Sequence, residues 1–272
     1  MTELVDLLRG RRWAALTGAG ISTDSGIPDY RGVGSRPTSP IQYDAFLRHD
    51  EVRRRYWARS MLGFRSFGVA RPNPGHRALA ALADRGLTTV ITQNVDGLHQ
   101  AGGSPDVLDL HGRIDAVICL DCAAVTARAV LQARLEQANP HFDGELAAGR
   151  AELDDARLRP DGDAVVDDWG DFVVLPCQSC GGILKPDVVF FGESVPKPLV
   201  EHAYRVVDEA EALLVAGSSL TVMSGLRFVR HAARAGKPIA IINRGATRAD
   251  ELATVRVDDG TSETLSALAA NL

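Results

Sequence analysis

Four cysteines stand as two Cys-x-x-Cys pairs, Cys119 with Cys122 and Cys177 with Cys180. Four thiolates at tetrahedral positions suit Zn2+, and an ion with all four positions taken by protein is structural. A redox dithiol is the rival reading of a single pair. Two pairs, with no export signal ahead of them, favour metal over disulfides. A second group begins at Gly18-Ala19-Gly20, directly after a short apolar run. Such a turn lets backbone N–H groups approach a phosphate, and a following helical turn adds its positive end. Ser22 and Thr23 come next, then Gly26-Ile27-Pro28-Asp29-Tyr30-Arg31. Here Arg31 offers a phosphate ligand, Tyr30 a flat face and Asp29 a hydrogen-bonding edge for the rest of a dinucleotide. The third glycine of the common dinucleotide fingerprint is missing.

Further along, Gln93, Asn94 and Asp96 follow a second apolar run. Asp96 suits a helix N-cap, but a carboxylate there also stabilises a developing positive charge, and an amide holds hydroxyls or water. His111 closes a third run as Leu-His-Gly, and a neutral imidazole takes up a proton near pH 7. His49, His141 and His231 read as surface residues. Gly217, Ser218 and Ser219 repeat the small-residue turn after a fourth run, and Asn243 follows a fifth.

The elements that must position these groups alternate. Thr2 caps a short helix carrying Leu4, Val5, Leu7 and Leu8, which Gly10 ends. Strands are expected at 13–17, 87–92, 107–110, 212–216, 238–243 and 254–257. Helices are expected at 50–62, 76–85 and 223–235. Residues 33–40, rich in Gly, Ser and Pro, read as a mobile loop. This alternation argues an α/β fold: a Rossmann-like, doubly wound parallel sheet with ligands at the carboxyl ends of its strands. A smaller zinc-binding and helical domain is inserted. The boundaries read as 1–34, 74–113 and 186–272 for the large domain, and 35–73 with 114–185 for the small one. Within the small domain, 54 residues separate Cys122 from Cys177. Residues 125–137 read as one helix with Val130, Leu131 and Leu135 on its apolar side. Residues 139–172 carry ten acidic residues and three arginines, a formal −7 against −5 for the whole chain, and read as a solvated, partly disordered insertion. The arginines at 53, 54, 55 and 59 read as a solvated helix face.

These motifs, in order and spacing, resemble the sirtuins, the NAD-dependent protein deacylases. The resemblance rests on the 15–32 stretch, Thr92-Gln93-Asn94-Val95-Asp96-Gly97-Leu98-His99, Leu110-His111-Gly112, the cysteine pairs, Val188-Val189-Phe190-Phe191-Gly192-Glu193, Gly217-Ser218-Ser219-Leu220 and Ile242-Asn243. It covers nearly the whole chain. Tyr30, where the family usually has Phe, the long gap between cysteine pairs and Asn243-Arg244-Gly245-Ala246-Thr247 are most similar to the class II branch. The resemblance implies that NAD is consumed as a co-substrate and that nicotinamide and an O-acyl-ADP-ribose ester are released. It makes His111 the general base, assisted by Asn94, and directs Asn94 and Asp96 to the nicotinamide ribose and amide. It sends Gly18, Ala19, Gly20, Ser22, Thr23, Asp29, Tyr30, Arg31, Gln93, Gly217, Ser218, Ser219, Asn243, Arg244, Gly245 and Thr261 toward the dinucleotide. Val188 to Glu193 becomes the strand edge on which an acyl-lysine protein or peptide adds. Protein mono-ADP-ribosyl transfer, which shares the first step, and a deacylase for non-acetyl groups are the alternatives. A dehydrogenase is disfavoured, because no acidic residue ends the second strand.

Bulk properties exclude little else. The 272 residues are 45% hydrophobic and 24% charged, ordinary for a globular protein. The net charge gives no pull toward nucleic acid or anionic membrane, and no run is long and apolar enough to span a bilayer. With no signal peptide evident, a cytoplasmic location is expected. Lysine occurs only at Lys185, Lys197 and Lys237, all other basic residues being arginine, a bias that fits a GC-rich bacterial genome. For the acyl group, Tyr56-Trp57-Ala58-Arg59 is similar to the Tyr-x-x-Arg pair of sirtuins that prefer acidic acyl chains. Aligned on Gly63 it is shifted by one residue, which turns a helical side chain by about 100°. Short neutral acyl groups, acetyl included, are therefore expected.

Overall fold

Continuous apolar runs are what parallel strands buried on both faces require. They form most of the strands in the computed structural model, which describes residues 1–29, 40–142 and 169–272. Along the chain the strands are β1 (Trp13–Thr17), β2 (Leu87–Thr92), β3 (Val107–Asp109), β4 (Gly112–Cys119), β5 (Val125–Ala127), β6 (Leu184–Val188), β7 (Ala212–Ala216), β8 (Ile239–Ile242) and β9 (Val255–Val257). The helices are α1 (Thr2–Leu8), α2 (Tyr43–Arg48), α3 (Asp50–Phe67), α4 (Pro74–Ala81), α5 (Leu98–Ala101), α6 (Arg128–Ala138), α7 (Lys197–Glu209), α8 (Met223–Arg234) and α9 (Thr261–Asn271). Two compact units divide them. One holds Met1–Arg36, Arg71–His111 and Val195–Leu272, the other Pro37–Ala70 and Gly112–Ser194.

The first unit is a six-stranded parallel sheet in the order β3-β2-β1-β7-β8-β9. Strand order reverses between β1 and β7, the switch point at which such sheets bind ligands. Alternation along β1 builds both faces. Trp13 and Ala15 pack with α1, α4 and α9 residues such as Leu8, Leu79 and Leu265. Ala14 and Leu16 pack with α7 and α8 residues such as Val207 and Phe228. Each fully buried Leu or Phe contributes about 1.5–3 kcal/mol. α4 begins sharply. Asn73 accepts from the His76 N–H at 3.2 Å, the Asn73 N–H donates to His76 Nδ1 at 3.3 Å, and Pro74 opens the helix. This reciprocal cap, worth about 1 kcal/mol, moves the helix start ahead of the expected His76. Thr2 is inside α1 rather than its cap, which is Met1.

The second unit is an antiparallel sheet, β5-β4-β6, with α2, α3 and α6. Its core joins Phe46, Trp57, Met61, Val117, Leu131 and Leu135. Arg128 is fully buried there, its guanidinium over the rings of Trp57 and Phe64 at 5.4 and 4.5 Å and donating to Ser60 O at 3.2 Å. Desolvation lowers its pKa to about 10. The expected helix over 125–137 is two elements: Val125–Ala127 pairs with β4 as an edge strand, and the helix starts at Arg128. Val130 is consequently exposed rather than apolar-facing. The expected strand from Val188 to Glu193 lies earlier, at Leu184–Val188, because that stretch pairs with β4. Pro186 is tolerated because β6 is an edge strand. This pairing groups residues 186–194 with the second unit. Of the acidic insertion, residues 143–168 lie outside the described part, as do residues 30–39, which include 33–39 of the expected mobile loop. The ends of the insertion are pinned. Asn139 donates to Val173 O at 3.1 Å and accepts from its N–H at 2.6 Å, and the Phe142 and Phe172 rings meet edge-on.

Candidate active site

In the second unit the four cysteine sulfurs lie within 4.8 Å of one another. Cys119 and Cys180 Sγ are 3.5 Å apart, Cys122 and Cys177 Sγ 3.8 Å. Tetrahedral Zn–S bonds of about 2.3 Å put sulfurs about 3.8 Å apart, so the set fits the ion. The same turn builds both halves. The N–H of Cys119 donates to Ala124 O and that of Ala123 to Cys119 O; the N–H of Cys177 donates to Gly182 O and that of Gly181 to Cys177 O. Ala123 and Gly181 hold matching positive φ values of 57° and 78°. Backbone N–H groups of Ser179 and Cys180 lower the Cys177 thiol to about 6. At Cys180 the Gly182 N–H lowers the pKa, but the neighbouring thiols outweigh it and the value rises to about 12. Four thiolates so close need a cation to coexist.

Lys185, on β6, is a further buried charge of this unit, beside Arg59 and Arg128. Its ammonium donates to Pro186 O, Val188 O and Glu193 Oε2, the last at 3.2 Å, and lies 4.9 Å from the Phe190 ring. Desolvation lowers its pKa, while Glu193 opposes the shift. Glu193 Oε2 also accepts from the Phe190 N–H at 2.8 Å. The pair thus folds Val189-Phe190-Phe191-Gly192 into a loop rather than a strand. Phe191 bridges Gln42, and its carbonyl accepts from the Tyr43 N–H at 2.9 Å. Tyr56 and Arg59 are both buried, and the Tyr56 ring meets Phe190 edge-on at 5.3 Å.

In the first unit the glycine turns after β1 and β7 meet at the switch point. The Gly18 N–H donates to Ala216 O at 3.2 Å and the Gly20 N–H to Gly217 O at 2.8 Å. A Cβ on Gly18 would lie 2.8 Å from Ser218 Cβ, and one on Gly20 2.9 Å from Gly217 O. These glycines therefore serve turn-to-turn packing, and their N–H groups are occupied rather than open to a phosphate. The helical turns that follow are short 3-10 pieces, Ala19–Ile21 and Thr23–Ser25, which bring no sizeable dipole. Gly217 has φ +65°, and its Cβ would fall 2.6 Å from Gly20 C. Gly217→Ala is expected to destabilise the protein by more than about 2 kcal/mol through strain and overpacking together; denaturant unfolding measures it. Leu220 holds a left-handed φ of 56° while buried, a strained position that ends the second turn.

Ser22, fully buried, is the hub beneath these turns. Its hydroxyl donates to Asp96 Oδ2 at 2.7 Å and accepts from Asn94 Nδ2 at 3.0 Å. Asn94 Nδ2 also donates to Gly18 O at 3.2 Å. Both amide hydrogens of Asn94 are thereby used, which leaves its Oδ1 as the atom to receive a ligand hydroxyl or water. Asp96 Oδ1 caps the next turn by accepting from the Leu98 N–H at 2.9 Å. Ser218 donates to Gln93 Oε1 at 2.8 Å, Thr261 to Gly20 O at 3.3 Å, and Asn243 to the carbonyls of Arg244 and Gly245. Thr23 and Arg244 are exposed, while Asp29 and Ser219 are partly so. Tyr30 and Arg31 lie outside the described residues.

Two histidines of this layer had no role in the sequence reading. His76 Nε2 lies 3.4 Å from Ser22 Oγ, His99 Nε2 2.8 Å from Thr17 Oγ1, and the rings stack edge-on at 4.9 Å. Since Nδ1 of His76 accepts and Ser22 gives its proton to Asp96, His76 is the neutral Nε2–H tautomer. Desolvation lowers the pKa of His76 to about 4 and that of His99 to about 3. The unfolded chain protonates both below about pH 6.5, the folded one does not, so the unfolded state binds more protons in that window. Stability is therefore expected to fall as pH drops from about 6.5 to 4, on the order of 3 kcal/mol from His76 alone. Urea midpoints at pH 7 and pH 5 check this, and His76→Gln should remove roughly half of the difference, with His99 supplying the rest.

His111 stands just past β3. Its Nδ1 is 2.8 Å from Gln93 O and its Nε2 2.9 Å from Ser224 Oγ. A carbonyl only accepts, so Nδ1 carries the proton and Nε2 presents its lone pair. Desolvation lowers the pKa of His111, opposed by the Gln93 carbonyl. The imidazole is thus held neutral, in the tautomer of a base. Gly112 follows with φ +76°, and any Cβ there would strike Asp187 O. Ser224 carried no sequence signal, because only the fold brings α8 to His111.

Against known proteins, the model of the Sir2 family matches residues 18–224. The chain is 56% identical over 271 residues to NAD-dependent protein deacetylase 1 of Mycobacterium avium (strain 104), covering 99% of this chain and 95% of that protein. It is 58% identical over 263 residues to NAD-dependent protein deacetylase 1 of Streptomyces coelicolor, covering 94% and 85%. Among solved structures, one described as Sir2-p53 peptide-NAD+ superposes with a TM-score of 0.76 at 30% identity, covering 98% and 96%. One described as Sir2 bound to acetylated peptide gives 0.75 at 28% identity over the same shares. The matching model, the extent of these relatives and the shared fold together make this chain a member of the Sir2 family.

Proposed function

We propose that this protein is an NAD-dependent protein-lysine deacetylase that releases nicotinamide and O-acetyl-ADP-ribose. The observation that carries the reading is His111, neutral, with Nδ1–H spent on Gln93 O and the Nε2 lone pair at the carboxyl end of the sheet. NAD, when bound, supplies a ribose carbon that becomes electrophilic as nicotinamide departs. The acyl oxygen of the substrate lysine attacks that carbon. His111 Nε2 then takes the proton of a ribose hydroxyl, which makes that oxygen the nucleophile toward the acyl carbon. Asn94 Oδ1 orients the ribose or an ordered water, and Asp96 favours the positive charge that develops as the bond to nicotinamide breaks. The turns at Gly18–Gly20 and Gly217–Ser219, with Thr23, Asn243, Arg244 and Thr261, hold the rest of the dinucleotide. The first unit is in this reading the NAD-binding domain.

The second unit carries Zn2+ as a structural ion, with the acyl-lysine peptide received along Val188 to Glu193. Among the described residues no helix is long and apolar enough to cross a membrane, and the matched relatives are bacterial; we assign the protein to the bacterial cytoplasm. The test is incubation of the zinc-loaded protein with acetyl-, succinyl- and long-chain acyl-lysine on one peptide, with and without NAD. Mass spectrometry should find deacetylated peptide and acetyl-ADP-ribose in equal amounts. Adenylate label retained on protein without deacylation would instead mean ADP-ribosyl transfer.

A further inference from the structure

Every proton that reaches His111 at Nε2 must leave from Nε2. Its Nδ1–H is bound to the carbonyl of Gln93, which has no proton to give and no basicity to take one. The group at Nε2 is the hydroxyl of Ser224, second residue of α8, at 2.9 Å and only partly buried. Its position is set from two sides. Gly225 next to it lies under the Gln93 side chain so closely that a Cβ there would come within 2.8 Å of the Gln93 amide. Gln93 is in turn held by Ser218 at 2.8 Å. Thus the residue that fixes the tautomer of His111 also packs on the backbone that presents Ser224.

We propose that Ser224 is the proton partner of His111, capping its Nε2 lone pair in the resting protein and carrying the abstracted proton away afterwards. The inference rests on His111 being the base. A hydroxyl suits both states of the ring. While His111 is neutral, Ser224 Oγ–H donates to Nε2. The ribose hydroxyl displaces it, its O–H bond breaks, and an Nε2–H bond forms. Ser224 then turns about Cβ–Oγ and accepts from that Nε2–H. Its oxygen takes the proton as its own proton passes to water, and the imidazole returns to neutral with no net change in the protein.

The test uses the full chain in two arms. Nitrogen NMR of histidine-labelled protein without NAD should show Nε2 of His111 unprotonated, and Ser224→Ala should move that resonance. In kinetics, Ser224→Ala should lower net deacetylation about tenfold, less than the hundredfold or more expected for loss of the base. Nicotinamide exchange into NAD, which precedes the proton step, should be kept. Added imidazole buffer at constant pH should restore turnover in Ser224→Ala but not speed the wild type, and Ser224→Thr should restore it without buffer. Normal deacetylation by Ser224→Ala overturns the proposal. So does a loss shared equally by exchange and deacetylation, a loss that buffer does not relieve, or an Nε2 resonance indifferent to the substitution. Full activity of His111→Ala would remove the base assignment itself; an inactive His111→Ala beside a normal Ser224→Ala removes only the relay.

Discussion

His111→Ala lowers deacetylation at least about a hundredfold, the usual scale for a positioned base, with little change in NAD affinity. The reason is where His111 acts. Its hydrogen bonds go to Gln93 O and Ser224 Oγ, neither of which belongs to the glycine turns of the switch point. The substitution removes a proton acceptor and leaves those turns as they are. The pH profile carries the same signature. The base works only when neutral, and burial lowers its pKa from the ordinary value. Turnover should then be complete at neutral pH and fall, as pH drops, at a midpoint below the ordinary imidazole value of about 6.5. Single-turnover rates from pH 8 to 5, with NAD titrated separately, measure both effects. Near-normal turnover by the variant, or a midpoint above the ordinary value, would sink the assignment.

Removing the zinc ligand set should have the larger effect on stability. Cys177→Ser, or exhaustive chelation, is expected to unfold the second unit. Binding of a structural zinc is worth on the order of 10 kcal/mol, more than the total stability of many domains. Here the ion joins the β4 end, through Cys119 and Cys122, to the turn before β6, through Cys177 and Cys180. Without it the cluster must hold its thiols partly protonated, as the raised pKa of Cys180 implies. Elemental analysis should give one zinc per chain. Circular dichroism and hydrogen exchange should show lost protection at 112–119 and 184–188, while β1, β2 and β7 keep theirs. A metal-free preparation with full protection and full activity would refute the structural role.

How far the sequence reaches can be judged from particular residues. β1, β2 and β7 begin and end where their apolar runs do, because a parallel strand covered on both faces admits little else. The cysteine quartet was equally legible, since ligand type and spacing are local properties. Where partners lie far along the chain, local pattern misleads. Residues 125–127 run without a break into the helix that follows them, yet β4 recruits them as an edge strand. Val188 to Phe191 is the more apolar stretch, yet it is Leu184–Val188 that pairs, while Lys185 and Glu193 fold the apolar part into a loop. Gly18 and Gly20 were visible as a turn, but their purpose was not. Only the approach of β7 shows that their N–H groups and missing Cβ atoms serve a second glycine turn. The sequence alone determined which groups are available: an imidazole, an amide, a carboxylate and four thiols. The tertiary structure decided their states. The tautomer of His111 depends on a carbonyl 18 residues away and a hydroxyl 113 residues away, and its low pKa depends on burial. Protonation is set by the surroundings of an atom, and those exist only once the chain has folded.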